Sequence, residues 1–341
     1  MNWAANSFMV ADESVLIKNR NSLNFKGALR LVRQSSYCRA LTGLPAPQAP
    51  YDLWAQLRFC GFLDGRPFHA FKHKYCVMGG FKGKQFLMPR NTQKLEEELK
   101  GMCFRARRKA WGMKLPTDYE IVRLSMTQEQ QISYAEMEQD FITWLQSGAE
   151  ISVEQAISKY IKMQQISSGI VLDEHGNAHS VCPFEHTPKF KHLYHRLNDE
   201  VDGKTLVVAN YTNTIRQLQK FLHKHQPAVI SAGSNVDYEK KRFNEDPDCR
   251  VMIGQSQAIK YGHNLMGSET DPCLSMCFYE NNYSLDNRAQ AEERPQGAGQ
   301  QGNLHIWDYA SSGIEVKILT ALQRKKDVAK AIMEGYQEIS T

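Results

Sequence analysis

The chain has 341 residues, 42% hydrophobic and 23% charged, with 42 Lys and Arg against 37 Asp and Glu. That length suits about two domains, each with its own core, and the composition is ordinary for a soluble globular protein. Every apolar run falls short of the roughly 20 residues that span a bilayer, and no basic segment leads into an apolar one as in a secretory signal. An intracellular, cytoplasmic chain with no membrane partner is therefore expected. The eight cysteines form no CxxC pair. Cys273 and Cys277 sit in an apolar, strand-like run without the four close ligands of a structural zinc site, so free thiols and no zinc are expected.

Residues 1–60 alternate short apolar runs with polar turns. The first run, Ser7 to Ala11, is closed by Asp12-Glu13-Ser14. A second, from Arg39, enters the Gly/Pro turn Thr42-Gly43-Leu44-Pro45. Residues 64–91 are rich in Gly, Lys and aromatics and predict irregular or hairpin structure. Thr92 is placed to cap a helix carrying Leu95 and Leu99. Thr127 to Gln146 predicts a helix with Ile132, Ala135, Phe141 and Leu145 along its apolar stripe. Val153 to Ile166 predicts another, and residues 173–177 a turn. From Gly203 onward strands and helices alternate. Strands are expected at 204–209, 228–230, 250–253, 274–279 and 304–309, and helices at 237–245, 284–294 and 313–335. Such alternation predicts a parallel sheet covered by helices.

Asp12 and Glu13 end an apolar run, and a carboxylate at the end of a buried strand is where phosphate-loop enzymes hold a Mg²⁺–nucleotide. The partner motif G-x-x-x-x-G-K-[S/T] is absent from the 341 residues. Gly79-Gly80-Phe81-Lys82-Gly83-Lys84-Gln85 has the wrong spacing, puts Gln85 where the Mg²⁺-binding hydroxyl belongs, and follows Asp12. Between Arg66 and Lys114 there are thirteen Lys and Arg against Glu96, Glu97 and Glu98, interleaved with seven aromatics. That mixture suits a nucleic-acid backbone, and equally a solvated basic face over core aromatics.

Six segments occur in a telling order. They are Val10-Ala11-Asp12-Glu13-Ser14 with Lys18-Asn19, Leu41 to Pro45, Arg105 to Lys109 with Leu115-Pro116, Val207 to Tyr211, Gly262-His263-Asn264-Leu265, and Gln290 to Arg294 leading to Gly299-Gln300. Together they resemble the Swi/Snf-type branch of the superfamily-two DNA helicases and translocases. The resemblance implies an α/β fold of two RecA-like lobes, the first incomplete. It places that partial lobe at 1–115, a helical insertion at 116–200 and a complete second lobe at 201–341. It implies ATP with Mg²⁺, Asp12 holding the metal through the nucleotide and Glu13 orienting the attacking water. Thr42 and Gly43 match the motif coupling nucleotide to DNA. Gly262, Asn264, Gln290 and Arg294 match second-lobe nucleotide and DNA motifs. Arg105, Arg107, Arg108 and Lys109 are the candidate contacts to duplex DNA, held without sequence preference. The family's phosphate loop, with its lysine, would lie upstream of Asp12, so an N-terminally truncated member is expected, and Gly297 stands where the family has a second arginine. Three readings follow: an ATP-dependent translocase, an inactive DNA- or partner-binding fragment, or half of a split enzyme whose phosphate loop is on a second chain.

Overall fold

The computed structural model describes residues 7–338 apart from 64, 81–82, 84, 107–113, 147–152, 174, 260–263, 298–299 and 335–336. The chain divides into two compact units. Unit one comprises 1–107, 284–286 and 321–341, and unit two 108–283 and 287–320.

Unit one begins with β1 (Phe8–Ala11), α1 (Leu23–Val32) and β2 (Tyr37–Ala40). The two strands pair in parallel, Phe8 opposite Tyr37 and Ala11 opposite Ala40, and α1 makes the crossover that parallel pairing requires. Ser22 is extended and its hydroxyl accepts the Phe25 N–H at 3.1 Å, so α1 starts on a side-chain cap. Phe25, Ala28, Leu29 and Val32 turn one face of α1 onto Met9, Ala11, Cys38 and Ala40 of the strands. The opposite strand face, with Phe8 57% and Tyr37 65% exposed, stays open. The chain continues through α2 (Leu53–Phe59), α3 (Phe68–Tyr75), the hairpin β3 (Cys76–Gly79) and β4 (Gln85–Pro89), α4 (Thr92–Leu99) and β5 (Phe104–Arg105). Leu53, Leu57, Phe71, Tyr75, Leu95 and Leu99 form its second core. The expected irregular stretch 64–91 thus holds a helix as well as a hairpin. Thr92 is the first residue of α4 rather than its cap. That place belongs to Asn91, whose φ of 52° is left-handed and whose side chain makes no capping bond.

Unit two opens with β6 (Thr117–Arg123), α5 (Gln128–Gln146), α6 (Val153–Ser167), the hairpin β7 (Ile170–Leu172) and β8 (Ala178–Ser180), and α7 (Pro188–His195). The alternating part follows as β9 (Lys204–Ala209), α8 (Thr212–Phe221), β10 (Ala228–Ile230), α9 (Val236–Glu245), β11 (Val251–Gln255), β12 (Cys273–Phe278), α10 (Leu285–Glu292), β13 (Leu304–Ala310) and α11 (Gly313–Glu334). The part of α11 from Ala321 and the short β14 (Gln337–Glu338) belong to unit one, where β14 pairs with β5. Six strands form one sheet in the order β10-β11-β9-β12-β13-β6, every pair parallel. Successive residues of a strand face opposite sides. Leu206 and Val208 therefore join one core with Met252, Met276 and Ile306, while Val207 and Ala209 join another with Ile253, Cys277 and Trp307. Both faces are covered, as parallel sheets require, and this is the α/β lobe anticipated from the alternation.

Two expectations change here. The stretch 116–200 is more than a helical insertion, because β6 is the edge strand of the main sheet, paired with β13 along its length. In α5 the buried face carries Gln130, Tyr134 and Phe141, while Ile132 is 52% exposed. The Gln130 amide donates to the carbonyls of Ile166 and Ser167, both at 3.0 Å, so a polar anchor sets the rotation of α5. Among the described residues no helix is long and apolar enough to cross a membrane.

Candidate functional site

In unit one the turn carrying Asp12 and Glu13 and the turn carrying Thr42 and Gly43 lie side by side. Asp12 and Glu13 directly follow β1, and Thr42 and Gly43 follow β2 after Leu41. Because the strands are parallel, both turns emerge at the same, C-terminal end of the pair, where open α/β sheets bind ligands. Two backbone bonds lace them together: Leu41 N–H donates to Ala11 C=O at 2.9 Å and Ser14 N–H to Leu41 C=O at 2.8 Å. Asp12 and Glu13 are exposed. Glu13 is left-handed at φ 49°, ψ 48°, a conformation costing a non-glycine residue about 1–2 kcal/mol and one that clusters at functional sites. Asp12 Oδ1 accepts the Glu13 N–H at 2.9 Å, which steadies the turn. Two exposed carboxylates on a strand-end turn are a fit set of oxygen donors for Mg²⁺.

Gln56 on α2 clamps both turns from beneath and was not foreseen. It is 5% exposed. Its Oε1 accepts from Ser14 Oγ at 2.9 Å, and its Nε2 donates to Pro45 C=O at 2.6 Å and to Asp52 C=O at 3.0 Å. The amide thus satisfies one group from each turn, Ser14 Oγ and Pro45 C=O. Nothing in the residue type or spacing distinguishes Gln56 from a surface glutamine; only the fold brings the two loops over it. Below it, Asp52 is buried and accepts the Gln48 N–H at 2.8 Å.

In unit two the structure joins two more of the expected motifs. Leu265 N–H donates to Arg294 C=O at 3.0 Å, so the segment containing Asn264 lies against the one containing Arg294. Asn264 is exposed, and its carbonyl accepts from Asn244 Nδ2 at 2.8 Å. α10 ends at Glu292, two residues short of the expected 284–294 span, which leaves Arg294 in the following turn with its Nε donating to Gln290 C=O at 2.8 Å. A Cβ built on Gly297 would lie 2.1 Å from Met266 Sδ, so a side chain at that position requires Met266 to move. Gly262 lies outside the described residues, as do Arg107, Arg108 and Lys109. Arg105, in β5, is half-buried and directs Nη1 to Met333 C=O at 3.5 Å, which ties it to α11.

Other polar residues at the strand ends of unit two escaped the sequence reading. Glu280, after β12, accepts from Asn210 N–H at 2.8 Å, Tyr211 N–H at 3.1 Å and Thr214 Oγ1 at 2.7 Å. It thereby holds the chain that enters α8, and its burial pushes its carboxyl upward. Asn282 Nδ2 donates to Asn210 Oδ1 at 3.1 Å and to Ser256 Oγ at 2.9 Å, joining the ends of β9, β11 and β12. A cavity of about 200 Å³ opens beside them, lined by Gln165, Asn210 and Tyr211 among others. On α10, Arg288 is committed to structure: it forms ion pairs with Asp308 and Glu292 and stacks 3.6 Å from the Phe278 ring centroid.

No protein-family profile matches the chain. Its sequence relatives include helicase swr1 of Schizosaccharomyces pombe, 25% identical over 138 residues, which are 39% of this chain and 10% of that protein. The DNA repair and recombination protein RAD54 of Saccharomyces cerevisiae is 28% identical over 153 residues, 42% of this chain and 16% of RAD54. The ATP-dependent helicase MG018 of Mycoplasma genitalium, itself uncharacterised, is 22% identical over 333 residues, 95% of this chain and 30% of that protein. The chain thus spans less than a third of each of these relatives.

Proposed function

We propose that this Swi/Snf-type, superfamily-two helicase-like chain supplies the hydrolytic and DNA-gripping parts of an ATP-driven translocase on duplex DNA. The observation carrying that reading is the hydrogen-bonded meeting of Asp12-Glu13-Ser14 with Leu41-Thr42-Gly43 at the ends of two parallel strands. That arrangement ties a Mg²⁺-binding turn to a second turn, so movement of one is felt by the other. ATP with Mg²⁺, when bound, supplies the scissile phosphoanhydride and the neutralising charge. Asp12 is assigned to hold the metal and Glu13 to orient the attacking water. Thr42 and Gly43 couple the two turns. Gly262, Asn264, Gln290 and Arg294 belong to the second lobe's share of the same cycle. RAD54 is named for DNA repair and recombination, swr1 as a helicase, and MG018 as an ATP-dependent helicase.

The 341 residues contain no phosphate loop, and glycine holds position 297. We assign the phosphate loop to another segment, of the same polypeptide or of a second chain, and expect the 341 residues alone to bind DNA without turning over ATP. In the second reading the chain is a DNA-binding fragment that never hydrolyses ATP, favoured by Gly297 and its close approach to Met266.

Duplex binding tests the part that both readings share. Fluorescence anisotropy with two unrelated duplexes of equal length should give similar affinities. Each should fall linearly on a log–log plot against salt, the slope rising by about 0.9 per phosphate contacted. A marked preference for one sequence, or affinity indifferent to salt, would contradict a backbone-gripping translocase.

A further inference from the structure

We infer that the outward face of α1 is a contact surface for the phosphates of duplex DNA, separate from the 66–114 block. The inference rests on the reading of the chain as a DNA-acting protein and deepens it by naming residues.

Charge is divided sharply between the units. Unit one carries 21 Lys and Arg against 11 Asp and Glu, which leaves unit two 21 against 26. Within unit one the bias is strongest where no motif drew attention to it. Between Glu13 and Asp52 there are six Lys and Arg and no acidic residue at all.

α1 arranges three of these cations in a row. Lys26 and Arg30 are four residues apart, and Arg33, at the C-cap, follows three later. At 3.6 residues per turn all three lie within about 60° of one another around the helix axis. All three are exposed, and the face turned inward is the apolar one of Phe25, Ala28, Leu29 and Val32. The helix is held firmly: Ser22 caps it, Phe25 is 4% exposed, and its ring lies 6.0 Å from that of Trp54. The row is therefore displayed on a fixed element rather than on a loop.

Elsewhere in unit one two half-buried cations share a carboxylate. Arg66 and Lys74 both reach Glu98, at 2.7 and 2.5 Å. Among the described residues no carboxylate forms an ion pair with Lys26, Arg30 or Arg33, and no acidic residue stands near them in sequence. A row of like charges repels itself, and an anionic partner relieves that repulsion. Lys26 to Arg33 spans about 10 Å of helix, and duplex DNA presents one phosphate per about 1.7 Å of axis. Three cations at that spacing suit a polyphosphate backbone better than a single anion. α1 joins the acidic turn after β1 to β2, so DNA held here grips the element carrying the proposed nucleotide turn.

The test compares the full chain with Lys26→Gln/Arg30→Gln/Arg33→Gln and with the charge-keeping Lys26→Arg/Arg30→Lys/Arg33→Lys. Each is measured by anisotropy with a labelled duplex between 50 and 200 mM salt, and its fold is checked by circular dichroism and thermal melting. Glutamine keeps helix propensity, and the positions face outward, so melting should be unchanged. The neutral variant should lose at least tenfold in affinity at the lowest salt and reduce the salt slope by about 2 to 3. The charge-keeping variant should bind as the parent does. A parent that binds duplex while the folded neutral variant keeps both affinity and slope overturns this inference and leaves the functional reading standing. A parent that binds no duplex overturns both. Loss of binding to anionic lipid vesicles with duplex binding unmoved assigns the row to a membrane surface and overturns the inference as well.

Discussion

Lys189→Ala is expected to destabilise unit two by about 3–5 kcal/mol, the usual cost of removing one partner of a buried ion pair. Lys189 on α7 is fully buried and Glu315 on α11 is 3% exposed. They form an ion pair, and Lys189 Nζ also lies 3.3 Å from Ser168 Oγ and 3.4 Å from Ser167 Oγ. Without the ammonium, Glu315 keeps its bonds from Ser311 N–H and Ser311 Oγ, at 2.8 and 3.1 Å, but no longer has a counter-charge. The expected loss is therefore that of an uncompensated carboxylate. Lys189→Met/Glu315→Gln should recover much of it, because neutralising both partners removes the stranded charge. Urea unfolding of the two single variants and the double variant measures the coupling directly. A loss below about 1 kcal/mol for Lys189→Ala would mean that water reaches Glu315 and that the pair is not buried in solution.

The second large effect is a pH dependence at Asp52. Burial pushes its carboxyl up from 3.8 to about 6, against the opposing influence of the Gln48 N–H bond and the charge of Lys18. The folded state therefore holds this proton more tightly than the unfolded chain does. The resulting stability is fully present below pH 3.8 and is lost as pH rises through about 6. A gap of about two units corresponds to about 3 kcal/mol. Asp52→Asn keeps an oxygen acceptor for Gln48 N–H and cannot ionise, so it should be more stable than the parent at pH 7 by up to that amount. Its stability should also lack the parent's decline between pH 4 and 7. An unchanged pH profile in the variant would show that Asp52 is not the titrating group.

What the sequence shows clearly is what depends on local pattern. β9, β10 and β13 can be read directly because buried parallel strands are continuous apolar, β-rich runs. The Asp12-Glu13 turn can be read because an acidic pair closing such a run is distinctive. β6 could not be read, since Thr117-Asp118-Tyr119-Glu120 has the polar look of a loop, and it becomes a strand only by pairing with β13, nearly two hundred residues later. The rotation of α5 could not be read either: the buried amide of Gln130 outweighs the apolar count that favoured Ile132. Gln56 and Glu280 owe their places to tertiary contacts between distant loops. The cations of α1 were visible as residues, but their arrangement as one exposed row, with the apolar face turned inward, needed the packing of Phe25 against Trp54.

ATP hydrolysis in saturating duplex DNA tests the central claim, that the turn after β1 is the hydrolytic turn of a DNA-driven motor. Three proteins should be compared: the 341-residue chain, the same chain joined ahead of Ser7 to a strand–phosphate-loop–helix segment, and the joined chain carrying Glu13→Gln. The chain alone should remain at background, because its 341 residues carry no phosphate-loop motif. The joined chain should show DNA-stimulated turnover, and Glu13→Gln should reduce it by about 100-fold or more. Robust turnover by the 341 residues alone, or a joined chain whose turnover survives Glu13→Gln, would contradict the assignment.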